Sequence, residues 1–274
     1  MNSPRSSGRS ATCAARSKPA ASDESTKHSL SPDRLADLLR ESQHPVLRDP
    51  AVLAQTLAAL ETEQARRASR DQLATYRPYS KQAAFHAAGA QARERLFMAG
   101  NQLGKTKAGG SEWAMHLTGL YPDWWVGKRF AGPVKFWAAG VTAESTRDNP
   151  QRVLLGPPQK KEEWGTGTIP ARSILATAAA RGVTDGVDSI VVRHVSGGAS
   201  TLLFKSYEKG REKWQGETLD GVWFDEEPPL DIYIEGLTRT NATDGIVIVT
   251  FTPLLGMSEV VRMFLSDDEA KGMQ

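Results

Sequence analysis

Apolar and polar positions change period several times along this chain, and each change marks an element. Leu35, Leu38 and Leu39 form a stripe with helical spacing behind Ser31-Pro32-Asp33, where serine caps and proline takes the first helical position. Asp49-Pro50 repeats the device ahead of Leu53, Leu57 and Leu60, which predicts a second helix with a charged, solvated tail from Glu61 to Arg70. Past Tyr76-Arg77-Pro78-Tyr79 the pattern turns to short apolar runs. Leu96-Phe97-Met98 predicts a strand, Lys107 to Leu117 a helix, and Val134 to Ala139 a further strand. Ala143 to Leu155 reads as a helix entered from Thr142, and Gly156 to Thr168, with Pro157-Pro158, as a loop. Ile190 to Val195 and Ser200 to Phe204 flank Ser196-Gly197-Gly198-Ala199 and predict an antiparallel hairpin. Leu219 to Phe224 and Ile246 to Thr250 suit buried strands. The alternation predicts an α/β fold: a mainly parallel sheet flanked by helices, with a helical N-terminal extension. Residues 1–30 read as a disordered arm, 31–75 as the helical region and 76–274 as the α/β domain.

Composition narrows the function classes. The 274 residues carry a formal charge of only +2, so any nucleic-acid contact must come from local patches. Cys13 is alone in a polar tail, which excludes an internal disulfide and fits a reducing compartment. Residues 1–22 are rich in Ser, Ala and Arg without an acid, as transit peptides are, but no amphipathic face runs through them. No apolar run approaches the length of a membrane span, so no membrane contact is expected.

Chemistry enters between the first strand and its helix. Ala99-Gly100-Asn101-Gln102-Leu103-Gly104-Lys105-Thr106 follows the strand and opens the helix. A triphosphate cradle needs this order: loop N–H groups around the β-phosphate, a helix N-terminus, a lysine on the β/γ oxygens and a threonine hydroxyl on Mg²⁺. Ala99 stands where the usual pattern has glycine, and Gly100 supplies backbone freedom one place later. The domain is therefore read as a P-loop NTPase.

Val222-Trp223-Phe224-Asp225-Glu226-Glu227 supplies the second half of such a site. An apolar strand ending in an acid brings a carboxylate to the carboxyl edge of the sheet; Asp225 is read as the Mg²⁺ residue. Glu226 follows it and is read as the carboxylate that polarises the attacking water, a hydrolase's task. Glu227 is the fallback, pointing elsewhere if the backbone there is extended. Thr250-Phe251-Thr252-Pro253 leaves the next strand and offers a hydroxyl to the γ-phosphate or the water. Gln82, in Tyr79-Ser80-Lys81-Gln82, carries an amide that can read the adenine edge.

Together these pieces, with Trp214 to Gly221, resemble the ATPase domain of the large terminase subunit of tailed bacteriophages, over about Tyr76 to Leu265. The resemblance implies ATP and Mg²⁺ as ligands: Gln82 on adenine, Ala99 to Thr106 around the phosphates, Thr106 and Asp225 on the metal, and Glu226 and Lys105 in catalysis. It implies coupling of hydrolysis to movement through Thr250, Thr252 and Pro253. Implied partners are double-stranded DNA, a small terminase subunit, the portal protein of the procapsid and further copies in a ring, in the cytoplasm of the bacterial host. Two departures stand out. Asn101-Gln102-Leu103 holds none of the arginine many terminases place in the loop, so an arginine must come from elsewhere; Arg129, Arg147 and Arg152 are candidates. No acid cluster for two-metal cleavage follows Pro253, since Glu259, Asp267, Asp268 and Glu269 read as a solvated helix end, so nuclease activity is not expected. The alternatives are a helicase-like ATPase, or a catalytically dead prophage remnant that binds nucleotide or a partner.

Other residues are read as structural. His28, His44, His86, His116 and His194 lack metal-ligand spacing. Trp113, Trp137 and Trp223 are assigned to the core, while Trp124-Trp125 is a loop pair open to either role. Lys160-Lys161, Arg172, Lys205, Lys209, Arg211 and Lys213 are read as solvated loop charge rather than a DNA-facing patch.

Overall fold

The computed structural model describes residues 49–253 and 258–272; the expected arm at 1–30 and the helix behind Ser31 lie outside the described residues. Residues 1–60 and 61–274 form two compact units. Helix α1 (Pro50–Ser69) starts as the Asp49-Pro50 pair predicts, with the Asp49 carboxylate accepting from the Ala51 N–H at 2.8 Å.

Within residues 61–274, seven strands form one sheet in the order β1-β7-β6-β2-β5-β4-β3. They are β1 (Glu94–Met98), β2 (Lys135–Gly140), β3 (Ile174–Ala179), β4 (Val187–Arg193), β5 (Ala199–Ser206), β6 (Gly221–Asp225) and β7 (Ile246–Phe251). The run from β1 to β5 is parallel, and β4 and β3 add antiparallel ribbons at one edge. The helices are α2 (Gln72–Thr75), α3 (Ser80–Ala88), α4 (Lys105–Thr118), α5 (Ala143–Thr146), α6 (Arg152–Leu155), α7 (Leu230–Arg239) and α8 (Glu259–Gly272).

The central strands are buried on both faces, which is why they read as continuous apolar runs without alternation. Period-two geometry sorts their side chains into two cores. Phe136, Ala138, Trp223, Ile246 and Ile248 pack with Trp113 and Met115 of α4. Trp137, Val222, Phe224, Val247 and Val249 pack on the other face with Ile232 and Tyr233 of α7 and Val260 and Val261 of α8. Full burial of one such side chain contributes about 1.5–3 kcal/mol.

Strand β3 was not predicted. Its Ile-Leu-Ala-Thr-Ala-Ala run is alanine-rich and largely exposed, so pairing with β4, not an apolar pattern, makes it a strand. The helix expected over Ala143–Leu155 is present, but Arg147–Gln151 between α5 and α6 winds as a π-turn. Pro150 lies inside it, lacks an N–H and disrupts the ordinary i→i−4 ladder.

Gly109 lets α4 lie directly against β6. A Cβ there would stand 2.6 Å from the Trp223 indole. Gly109→Ala is therefore expected to cost about 1–3 kcal/mol by overpacking, read as a lower urea midpoint with unchanged slope.

Behind α4 lies a buried polar network. Glu112 of α4 pairs with Arg95 of β1 through the two terminal guanidinium nitrogens, and accepts from His86 Nδ1 of α3 at 2.7 Å. His116 Nε2 stands 3.4 Å from the same carboxylate, and the Tyr76 hydroxyl meets His86 Nε2 at 3.1 Å. Burial opposes the charge on Glu112, but Arg95 and the bonds to His116 and His86 hold its carboxyl well below the usual range. Burial pulls His116 down. Glu112→Gln leaves Arg95 buried and uncompensated, and is expected to cost about 3–5 kcal/mol in chemical denaturation. Burial disfavours the charged form of His116 in the fold while its unfolded counterpart protonates below about pH 6.5, so the unfolded state binds more protons there. Stability should therefore fall as pH drops from 7 towards 5, by at most about 1.4 kcal/mol per unit from this group, and should fall further below the unfolded pKa of Glu112. Denaturation midpoints across that range check it.

Candidate nucleotide site

The carboxyl ends of β1, β7 and β6 lie side by side, and each delivers one of the predicted motifs. Ala99 continues β1 and donates its N–H to the Phe251 carbonyl at 3.3 Å. The loop then turns through Gln102, at φ 60°, and Gly104, at φ 76°, into α4. A side chain at Gly104 would be strained by that φ and would meet the Gln82 amide at 2.7 Å. Lys105 is buried and folds back over the loop, donating from Nζ to the Gly100 carbonyl at 2.8 Å.

Asp225 ends β6 on the same face as Trp223, which turns its carboxylate towards α4. Thr106 donates to its Oδ1 at 3.0 Å across 119 positions of sequence. Thr250, its neighbour in register on β7, donates to the same oxygen at 2.8 Å and accepts from Trp223 Nε1 at 2.8 Å. Burial pushes the Asp225 carboxyl up to about 7, against the pull of the hydrogen bonds from Thr250 and Thr106. Thr250 is fully buried and braces this carboxylate.

Glu226 departs from the extended backbone that the expected orientation of Glu227 assumes. Its φ is 68°, a left-handed conformation that costs an L residue roughly 1–2 kcal/mol. Its N–H still donates to the Thr250 carbonyl at 2.8 Å, and its Oε2 accepts from the Thr252 N–H at 3.3 Å. Thr252 in turn donates its hydroxyl to Asn101 Oδ1 in the phosphate loop at 2.9 Å. Glu227 lines a separate cleft of about 620 Å³ with Val141, Pro229 and Leu230. Burial, then the charge of Glu226, raises its carboxyl.

Gln82 is buried, with both ends of its amide engaged: Oε1 accepts from the Tyr79 N–H at 2.8 Å, and Nε2 donates to the Gly104 carbonyl at 2.9 Å. It touches the loop directly, a placement the sequence pattern did not reveal. Pro253 is exposed at the exit of β7. Two of the three arginine candidates are engaged, Arg147 with Asp148 and the Thr184 carbonyl and Arg129 with the Trp125 carbonyl and the Tyr121 ring, while Arg152 is exposed on α6. Trp125 is buried, and Trp124 is partly buried against the core, so the loop pair is largely structural. Several of the basic loop residues have partners: Arg211 pairs with Glu235, Arg172 with Asp71 and Lys160 with Glu163, while Lys205 stands over Trp137 and donates to the Lys213 carbonyl at 3.2 Å. No cluster of three metal-ligating side chains occurs among the described residues, and no described helix is long and apolar enough to cross a membrane.

Sequence reasoning missed Tyr207, Asn101 as a partner of Thr252, and Trp223 as a hydrogen-bond donor. Tyr207 follows β5, and its buried side chain donates from the hydroxyl to the Glu226 carbonyl at 2.8 Å, with the Asp225 carbonyl at 3.1 Å. The available signal was a lone aromatic three residues beyond a predicted strand, which specifies no partner.

A parallel sheet with a glycine-turned loop entering a helix beside a buried strand-end aspartate defines a P-loop nucleotide-hydrolase fold. Residues 96–274 match the family described as terminase large subunit, T4likevirus-type, N-terminal, and the chain belongs to that family. It is 46% identical over 209 residues to the terminase large subunit of Salmonella phage P22, covering 70% of this chain and 42% of that protein. The terminase large subunit of Enterobacteria phage LP7 is 32% identical over 130 residues, covering 47% and 27%. The solved large terminase of a thermophilic bacteriophage (crystal form 2) superposes with a TM-score of 0.50 at 16% identity, over 71% of this chain and 44% of that one, a likeness of fold. The chain thus spans less than half the length of the curated relatives it matches.

Thr106→Val removes a donor from Asp225 and the hydroxyl assigned to the metal. Magnesium-dependent ADP binding, measured by calorimetry, is expected to weaken at least tenfold, while metal-free binding changes little.

Proposed function

We propose that this chain is the ATP-hydrolysing motor portion of a phage terminase, which drives double-stranded DNA into procapsids. The observation that carries the reading is the contact between Thr106 and Asp225, which brings loop and acidic strand, far apart in sequence, to one point. A hydroxyl and a carboxylate form the hard oxygen donor set that Mg²⁺ takes, and Lys105 stands beside them for the β/γ oxygens. Bound Mg²⁺ supplies charge neutralisation of the phosphate oxygens.

The chain's own groups account for the remaining work. Loop N–H groups and the start of α4 bind phosphate, and Lys105 exchanges the Gly100 carbonyl for a phosphate oxygen. Gln82 borders the base and reads adenine once its amide is released from Gly104. Glu226 accepts a proton from the attacking water, and Thr252 links that carboxylate to Asn101 in the loop, so a change in the loop reaches Thr252-Pro253 at the exit of β7. With Arg129 and Arg147 engaged elsewhere, charge on the transferring group is met by an arginine of a neighbouring copy in a ring. The small terminase subunit and the procapsid portal are the matching partners, and the host cytoplasm the setting.

ATP turnover with and without double-stranded DNA tests the reading. Glu226→Gln is expected to lower turnover about 10²–10⁴-fold while ADP binding persists, and Lys105→Ala to weaken nucleotide binding itself. Turnover untouched by Glu226→Gln defeats it.

A further inference from the structure

We propose that Tyr207 is a positioning residue for the catalytic carboxylate, acting through the backbone of Glu226; this rests on the role proposed above for Glu226. Glu226 is one of four non-glycine residues at positive φ among the described residues, the others being Gln102, Asp185 and Asp244. Asp is a residue type that tolerates such a conformation; a longer glutamate gains nothing from it locally. Strain of this kind persists where surrounding structure imposes it.

Two bonds impose it here. The Glu226 N–H is tied to Thr250 on β7, and the Glu226 carbonyl receives the Tyr207 hydroxyl at 2.8 Å. The same hydroxyl lies 3.1 Å from the Asp225 carbonyl and 3.5 Å from that of Ala139, so one phenol from beyond β5 reaches the ends of β6 and β2. The ring is fixed among Trp214 and Phe224. An ordinary phenol keeps its proton at neutral pH, so the hydroxyl is a donor there. Holding both ends of the peptide in the left-handed turn directs the side chain to the Thr252 N–H, beside the phosphate loop. In an extended backbone the side chain would leave on the opposite face from Asp225.

Tyr207→Phe keeps the ring and removes this donor. At saturating ATP with double-stranded DNA, kcat is expected to fall about 10- to 100-fold with KM and ADP affinity unchanged within about twofold. Thermal stability supplies a second readout that needs no turnover. Glycine adopts the left-handed turn without strain, so loss of the hydroxyl releases strain only in the wild-type chain, and Tyr207→Phe should lower Tm more in a Glu226→Gly background than in the wild-type chain. An unchanged kcat, a parallel loss of nucleotide binding, or equal Tm losses in both backgrounds overturns the proposal. Glu226→Gln separates the two readings. If it abolishes turnover while Tyr207→Phe does not, Tyr207 has no positioning role and the hydrolase reading stands. If Glu226→Gln leaves turnover intact, the hydrolase reading falls, and the Tm comparison still decides what Tyr207 does to the backbone.

Discussion

One oxygen atom organises the candidate site. Oδ1 of Asp225 collects the hydroxyls of Thr106 and Thr250, and Thr250 is held in turn by the Trp223 indole. A carboxylate with so little exposure is expensive to leave unpartnered, so the elements that bring it donors are bound to one another by that cost. Those elements are the phosphate-loop helix, the central strand β7 and the strand that carries the acid. Sheet register sets Thr250 beside Asp225, and Gly109 lets the helix settle onto the indole between them. The geometry of the site is thus a consequence of how the sheet and α4 pack.

The same helix is secured from behind by Glu112. Gln82 and His86 stand four residues apart on one face of α3, so both reach α4: Gln82 at the Gly104 carbonyl and His86 at the Glu112 carboxylate. Arg95 joins β1 to that carboxylate. Helix α3, which the sequence marks only by an amide read as a base contact, works as a brace between the first strand and the loop helix.

How much of this could be read from the residues depended on how local each cause was. The loop from Ala99 to Thr106 and the strand ending at Asp225 announce themselves, because phosphate chemistry needs those residue types in consecutive positions. The parallel order followed from alternating runs. Strand β3 escaped because alanines on an exposed ribbon carry no periodic signal, and only pairing with β4 makes them a strand. The π-turn at Arg147–Gln151 hid within a helical pattern that Pro150 should have called into question. Thr250 stands at the expected edge but with a different partner, since register between β6 and β7 is not written in either strand alone. The left-handed turn at Glu226 was invisible for the same reason: its causes sit on β7 and beyond β5.

The side chains proposed to bind nucleotide and metal satisfy one another within the fold. Lys105 rests on Gly100, Thr106 on Asp225, Gln82 on Gly104, and Glu226 on Thr252. On the proposed function, a nucleotide engaging these four side chains would exchange those internal bonds for its own, and only the difference would appear as affinity.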